Sequence, residues 1–236
     1  LFNKNIFKEE INMNFRELRC LKITDRRLVT ELKDFDIRGL PSPEFLFIDM
    51  ESLIKIPEDF KIGKYISSIE GIFSDCHSLV SIPKFDTSYV KNMNLMCYNC
   101  KSIKEIPELD TSNIESMDNS FNGCENLKSI ILNISNLKTA FSIFKGCTKL
   151  KSIIFTGKDT EFNGIIDLTD VQLSYTSLIR LIKSLPTYKN DEDNKLFPTL
   201  ELSNMKSADK LSLDDISLVY NKGWRINKKG ELKSER

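Results

Sequence analysis

The sequence predicts an α/β repeat fold: a solenoid of stacked units of about 24 residues, with a short parallel β-ladder, closed at its far end by a strand–helix cap. Three observations predict it. Between residues 72 and 150 one phrase is written four times: F-S-D-C-H-S-L-V-S-I-P from Phe73, C-Y-N-C-K-S-I-K-E-I-P from Cys97, F-N-G-C-E-N-L-K-S-I from Phe121 and F-K-G-C-T-K-L-K-S-I from Phe144. Within it Cys76, Cys100, Cys124 and Cys147 fall 24, 24 and 23 residues apart. The first two phrases are followed by one filler, F-D-T-S-Y-V from Phe85 and L-D-T-S-N-I from Leu109, and then by Met93 and Met117. After Lys151 the period fails and isolated strand and helix patterns take over.

Before the repeats, residues 13–38 carry Leu18, Leu21 and Ile23 in one run and Leu28, Val29 and Leu32 in another, with charges between. That pattern suits two short strands, or a strand and a helix. Pro41 and Pro43 then break the chain, because neither continues a helix or a central strand. Residues 45–57 read as a degenerate first repeat. Ser52, Leu53, Ile56 and Pro57 repeat the S-L-x-x-I-P signature without a preceding F-x-x-C. Terminal repeats are atypical because one face has no neighbour. With it the array holds about five repeats.

Each full repeat assigns physical roles. The L-x-x-I segments (Leu79/Ile82, Ile103/Ile106, Leu127/Ile130 and Leu150/Ile153) are expected to be short strands with these side chains inward. Pro57, Pro83 and Pro107 end the pairing, since proline lacks the donor a ladder needs. Asp86, Thr87 and Ser88, and again Asp110, Thr111 and Ser112, suit a tight bend stabilised by side-chain bonds to nearby backbone. Val90, Met93, Ile114 and Met117, with Phe73, Phe121 and Phe144, cover the other side of the coil. In the fourth unit Asn133, Ile134 and Ser135 replace D-T-S, and the array loosens there.

Beyond the repeats, residues 165–168 (I-I-D-L) read as a strand. Ser174 precedes the stripe Tyr175, Leu178, Ile179, Ile182 and Leu185, which Pro186 ends: an amphipathic helix. Residues 187–195 are polar and read as an exposed loop; residues 199–202 alternate as a strand does. Ser212 with Asp215 forms a capping-box pattern opening a helix through Ile216, Val219 and Tyr220 that stops at Gly223. Trp224 and Ile226 are expected to fold back on that helix, ahead of a basic tail, residues 227–236.

Composition narrows the function classes. Thirty-four basic residues cancel thirty-four acidic ones, which argues against a broad nucleic-acid surface. No apolar run approaches the ~20 residues of a membrane span. Residues 1–20 show no signal-peptide core. Lys8, Glu9 and Glu10 lie shortly before Met13, and their codons can spell a purine-rich ribosome-binding sequence. Two readings follow: residues 1–12 are translated leader and the native chain starts at Met13, or they are a polar arm or cut fragment.

The chemistry-bearing residues read mostly as structure. Cysteines stacked at one repeat position form a straight file about one strand spacing apart (~4.8 Å). A tetrahedral zinc site needs four ligands converging on a point, and side chains in register point in parallel rather than at one another. Cys76, Cys100, Cys124 and Cys147 are therefore expected to be a structural file of reduced, buried thiols. Cys97 and Cys100 are formally C-x-x-C, but Cys97 stands in the repeat's aromatic position and no thioredoxin-like βαβ context surrounds it. His77, the single histidine, follows Cys76 and reads as a surface residue rather than half of a Cys–His pair. Asp191, Glu192 and Asp193 lack the glycine and spaced ligands of a calcium loop. No catalytic residue, metal ligand or cofactor is expected. The outward positions Ser81, Lys84, Lys104, Glu105, Glu108, Lys128, Lys149 and Lys151 are the expected ligand-binding face.

The phrase F-x-x-C-x-S-L-x-x-I-P-x-x-D-T-S-x-V-x-x-M resembles the BspA-type leucine-rich repeats of bacterial surface and phage-borne proteins. The stretch from Leu173 through Leu211 and Asp215 to Trp224 is similar to the segment that often closes such arrays. The resemblance runs from about Phe45 to Ile226. It implies a leucine-rich-repeat solenoid that binds proteins or cell-surface ligands without a catalytic site. The expected organisation is an N-terminal arm and cap (1–44), repeats (45–157), an α/β C-terminal cap (158–226) and a tail (227–236). The expected function is a non-enzymatic interaction protein with a protein or glycan ligand, no nucleic acid and no membrane span; the alternative is a virion or envelope component acting as a rigid spacer. The chain shows no secretion signal, lipobox or wall anchor, so a cytoplasmic or virion-associated product is expected over a secreted one.

Overall fold

A computed structural model of the chain describes residues 11–12, 27–30, 32–33, 37–189 and 196–229. Within them, the backbone of each repeat satisfies its polar groups partly in turns and partly in bonds to the neighbouring repeat. In residues 69–76 the amides divide into two alternating sets. Those of Ile69, Gly71, Phe73 and Asp75 donate to the carbonyls of Asn92, Asn94, Met96 and Tyr98 in the next repeat. Those of Ile72, Ser74 and Cys76 donate three residues back, to Ile69, Gly71 and Phe73. The scheme recurs at Met93, Leu95, Cys97 and Asn99, which donate to Ser116, Asp118, Ser120 and Asn122. Buried amides must be paired, and here no helix or strand is needed to pair them.

This arrangement requires left-handed residues. Asp49, Asp75, Asn99, Gly123 and Gly146 all have φ between 55° and 78°, and each directly precedes Met50 or a repeat cysteine. Asp, Asn and Gly are the residues that tolerate this region best. A second left-handed position lies four residues earlier, at Phe45, Gly71, Leu95, Asn119 and Ser142.

A second seam joins the repeats on the other side. Ile54 donates to Thr30, Val80 to Ile54, Lys104 to Val80, Lys128 to Lys104 and Lys151 to Lys128. This file begins at Thr30, a repeat earlier than the S-L-x-x-I-P signature suggests. Parallel bridges at Lys55–Ser81 and Glu105–Ser129 lie beside it.

The expected leucine-rich-repeat solenoid with a short parallel β-ladder is corrected here. Among the described residues, regular structure amounts to two α-helices, one 3-10 turn (Ala208–Lys210) and nine short strands in four small sheets, none of them closed. In order these are β1 (Ile11–Asn12), β2 (Leu32–Lys33), β3 (Ser129–Asn133), β4 (Ser152–Thr156), β5 (Asp159–Thr160), β6 (Ile165–Asp167), α1 (Tyr175–Ser184), β7 (Thr187–Tyr188), β8 (Thr199–Glu201), α2 (Leu213–Asn221) and β9 (Arg225–Asn227). All pairings are parallel: β1–β2, β3–β4, β5–β7 and β6–β8–β9. The segments of Leu79/Ile82 and Ile103/Ile106 form isolated bridges instead of strands, while those of Ile130 and Ile153 lie in β3 and β4. The physical reason is proline. Residues 105–112 (E-I-P-E-L-D-T-S) have eight residues where residues 129–135 (S-I-I-L-N-I-S) have seven and no proline. Pro107 removes a donor and lengthens the link, so pairing stops after one bridge. Without it the backbone runs straight as β3, in register with β4 from Ser129–Ser152 to Asn133–Thr156.

The core is one cluster running the length of the array. Phe47 stacks on Phe73 at 5.5 Å and Phe121 on Phe144 at 6.2 Å, with buried Cys97 at the same position between the two pairs. Phe47 and Met50 thus fill the aromatic and cysteine places of the degenerate repeat. Burying each large side chain contributes about 1.5–3 kcal/mol.

α1 is capped by the Ser174 hydroxyl, which accepts from the Ser177 amide, and it buries Leu178, Leu181 and Ile182. α2 opens on the Ser212–Asp215 capping box, buries Val219 and gives way at Gly223, where φ is +80°. Trp224 is fully buried; its indole donates to Pro186 at 2.9 Å, and its amide donates to Val219 of α2. The Lys222 ammonium donates to the carbonyls of Lys183 and Leu185 at the end of α1, where the helix leaves carbonyls unpaired. Thr187 and Tyr188 form β7 rather than part of a loop, because β5 offers them a parallel partner. The cluster Asp191, Glu192 and Asp193, Cys20, the early run Leu18, Leu21 and Ile23, the Met13 start and most of the basic tail lie outside the described residues.

Candidate ligand-binding face

β3 alternates outward Ser129, Ile131 and Asn133 with inward Ile130 and Leu132, and β4 follows suit with Thr156 outward. Ahead of these strands, the proline-bearing links turn Lys84, Asp86, Glu108 and Asp110 to the same side. Together they line an open groove of about 420 Å³. Its floor is pinned across layers by two buried threonines: Thr87 donates to the Asp110 carbonyl at 2.8 Å, and Thr111 to Asn133 at 3.0 Å. At its rim the Asp86 carboxylate accepts from the Ser88 hydroxyl at 2.6 Å and from the Ser88 amide at 3.0 Å. These bonds hold its pKa below the ordinary carboxylate value and keep it charged. The groove thus offers anionic acceptors, one lysine and an exposed isoleucine, Ile131.

The expected face residues divide accordingly. Lys84 and Glu108 both line the groove. Lys104, Lys128 and Lys151 occupy successive places along the backbone seam and are exposed, with Glu105 beside them. Ser81 is half-buried and bridges to Lys55. Lys149 turns aside to donate to the Asn126 side chain at 2.7 Å, and Lys151 reaches the Gln172 carbonyl at 3.3 Å. Sequence reasoning assigned Asp86 and Asp110 to a bend and missed that they also line a cavity. The recurrence of one charged residue just before each buried threonine was the available signal.

The cysteines face the other way. The thiols of Cys76, Cys100, Cys124 and Cys147 donate to the carbonyls of Phe47, Phe73, Cys97 and Phe121 in the preceding layer, at 3.0–3.1 Å. All four, with Cys97, are free and buried. Burial raises the pKa of Cys76, Cys97 and Cys124 well above the ordinary thiol value and pushes Cys147 up to about 12. A buried, protonated thiol is a poor nucleophile. His77 stands 3.8 Å from Asp75, while the Cys76 thiol donates to the Phe47 carbonyl.

An ion-pair file also went unforeseen. Glu115 lies 2.9 Å from Lys91 of the preceding layer and 2.5 Å from Lys138 of the next. The Lys138 and Lys91 ammonium groups, which donate to its carboxylate, lower its pKa to about 2.

Among the described residues no helix is long and apolar enough to cross a membrane. No curated protein matches the chain, and no solved structure does. Residues 67–171, less than half of the chain, match a family described as Mycoplasma protein of unknown function, DUF285. Over those residues, which hold the four full repeats and the groove, the chain is similar to that family.

Proposed function

We propose that the chain is a non-enzymatic interaction protein whose groove and adjoining lysine file engage a protein or cell-surface ligand. The groove carries this reading. Side chains from successive repeats converge on one concavity in which buried positions recur while the lining changes from layer to layer. Sites of this kind combine a few placed polar groups with apolar surface. The family match over the repeats is consistent with the BspA-like repeat proteins that the sequence resembles.

Two variants test the reading against a panel of purified surface proteins and glycans. One replaces Lys104, Glu105 and Lys128 together by alanine; the other is Ile131→Asp. Loss of about tenfold or more in affinity with unchanged melting temperature is the expected result. Unchanged affinity for every ligand bound by the wild type would overturn it. A spacer role is the second reading, favoured by the uninterrupted backbone seam from Thr30 to Lys151. It predicts that the panel finds no ligand at all.

A further inference from the structure

A second cavity, of about 470 Å³, lies beside the groove and meets it at Asp86. Its walls are Tyr65 and Tyr89 with Arg38, Lys61 and Lys64. The tyrosines are 63% and 49% exposed, and their rings meet edge to face at 4.7 Å and 79°. The Lys64 ammonium sits 4.8 Å from the Tyr65 ring centre. Among the described residues neither Lys61 nor Lys64 makes an ion pair.

The fold does not need tyrosine here. One and two repeats further on, the place of Tyr89 is held by Asn113 and Asn136. Each asparagine amide donates to the carbonyl of the preceding layer, Ser88 and Ser112, at 2.7 Å. The two tyrosines instead leave much of their surface in water. Tyr65 does so at a φ of +69°, a left-handed conformation that a bulky residue adopts only under constraint. Such strain gathers at ligand sites.

The charge is also local. In a chain with 34 basic and 34 acidic residues, this cavity sets Lys61 and Lys64 against one carboxylate, Asp86. We infer that the Tyr65–Tyr89 cavity is a binding site for an acidic sugar, a saccharide unit bearing a carboxylate or sulfate. Lys61 and Lys64 meet the anionic group, the two rings form a corner against the apolar face of the sugar, and Asp86 accepts from its hydroxyls. Parallel stacking of nucleic-acid bases is disfavoured by the edge-to-face corner, and a phosphate dianion by Asp86. The inference shares with the proposed function the premise that the chain binds a ligand and one lining residue, Asp86; its other residues are different.

The test is calorimetric titration of the full chain with sialyllactose, a hyaluronan tetrasaccharide and a sulfated disaccharide as the acidic arms. Neutral lactose, phosphotyrosine and a short single-stranded DNA are the comparisons. At least one acidic sugar is expected to bind, with lactose weaker by about tenfold or more. Tyr89→Asn, which installs the residue later layers use, and Lys61→Gln are each expected to lower that affinity by about fivefold or more while leaving the melting temperature in place. Ile131→Asp in the groove is expected to leave it unchanged, which separates this site from the proposed function. Absence of binding by every acidic arm, tighter binding of phosphotyrosine or DNA, or full affinity in Lys61→Gln would each overturn the inference. Should Tyr89→Asn fail to fold, Lys61→Gln decides alone.

Discussion

Residues 105–112 and 129–135 occupy the same place in successive repeats, yet one makes a single bridge and the other a five-residue strand. Both bury a repeated isoleucine or leucine and both end in a bend. The difference is one residue and one ring: Pro107 is present in the first and absent from the second. A missing amide and a one-residue excess keep the chain off the ladder there, and Glu108 and Asp110 line the groove, as Lys84 and Asp86 do after Pro83 in the preceding repeat. The groove therefore has two kinds of wall: proline-bearing links that leave the ladder, and the outward side chains of β3 and β4.

The largest effect that probes this comparison is Leu132→Pro, in the buried row of β3. It removes a side chain 2% exposed and introduces a ring into a ladder. A loss of about 3 kcal/mol or more is expected in chemical denaturation. Pro107→Ala, in the bridge-only layer, is expected to change stability by less than about 1 kcal/mol, chiefly through the unfolded chain. Equal effects would break the comparison. Next comes Cys124→Ala, which removes the bond to the Cys97 carbonyl and a buried sulfur; about 1–2 kcal/mol of destabilisation is expected. Thiol titration of the native protein should find Cys76, Cys97, Cys100, Cys124 and Cys147 unreactive at neutral pH, and all five reactive after denaturation without reductant.

The smallest effect is electrostatic. Glu115 titrates near 4.5 ordinarily and near 2 when folded, so its ionised form favours the folded state. That contribution is present above about 4.5 and disappears as pH falls through about 2. The melting temperature of Glu115→Gln should therefore lie slightly below wild type at neutral pH and converge with it in strong acid. A gap that persists below pH 2 would mean Glu115 acts through packing instead.

Much was legible in the residues. The capping box at Ser212 and Asp215, the helix ending before Pro186 and the burial of Leu79, Ile103, Leu127 and Leu150 follow from local rules and a simple period. The left-handed series Asp49, Asp75, Asn99, Gly123 and Gly146 is marked in the residues as well, since Asp, Asn and Gly recur just before each cysteine position. The strand expectation for Leu79/Ile82 and Ile103/Ile106 failed because proline's effect on pairing reaches further than the residue it occupies. The meeting of Tyr65 with Tyr89 had no local signal, since it depends on two layers lying in register.

By itself the sequence determined the period, the inward positions, the punctuation by proline and the caps, because each is set by a residue and its near neighbours. Only the tertiary structure decided which amides pair across layers, where one missing residue straightens the chain into β3, and which variable side chains share a cavity. Those outcomes depend on contacts between residues some 24 positions apart, and a repeat constrains such contacts without specifying them.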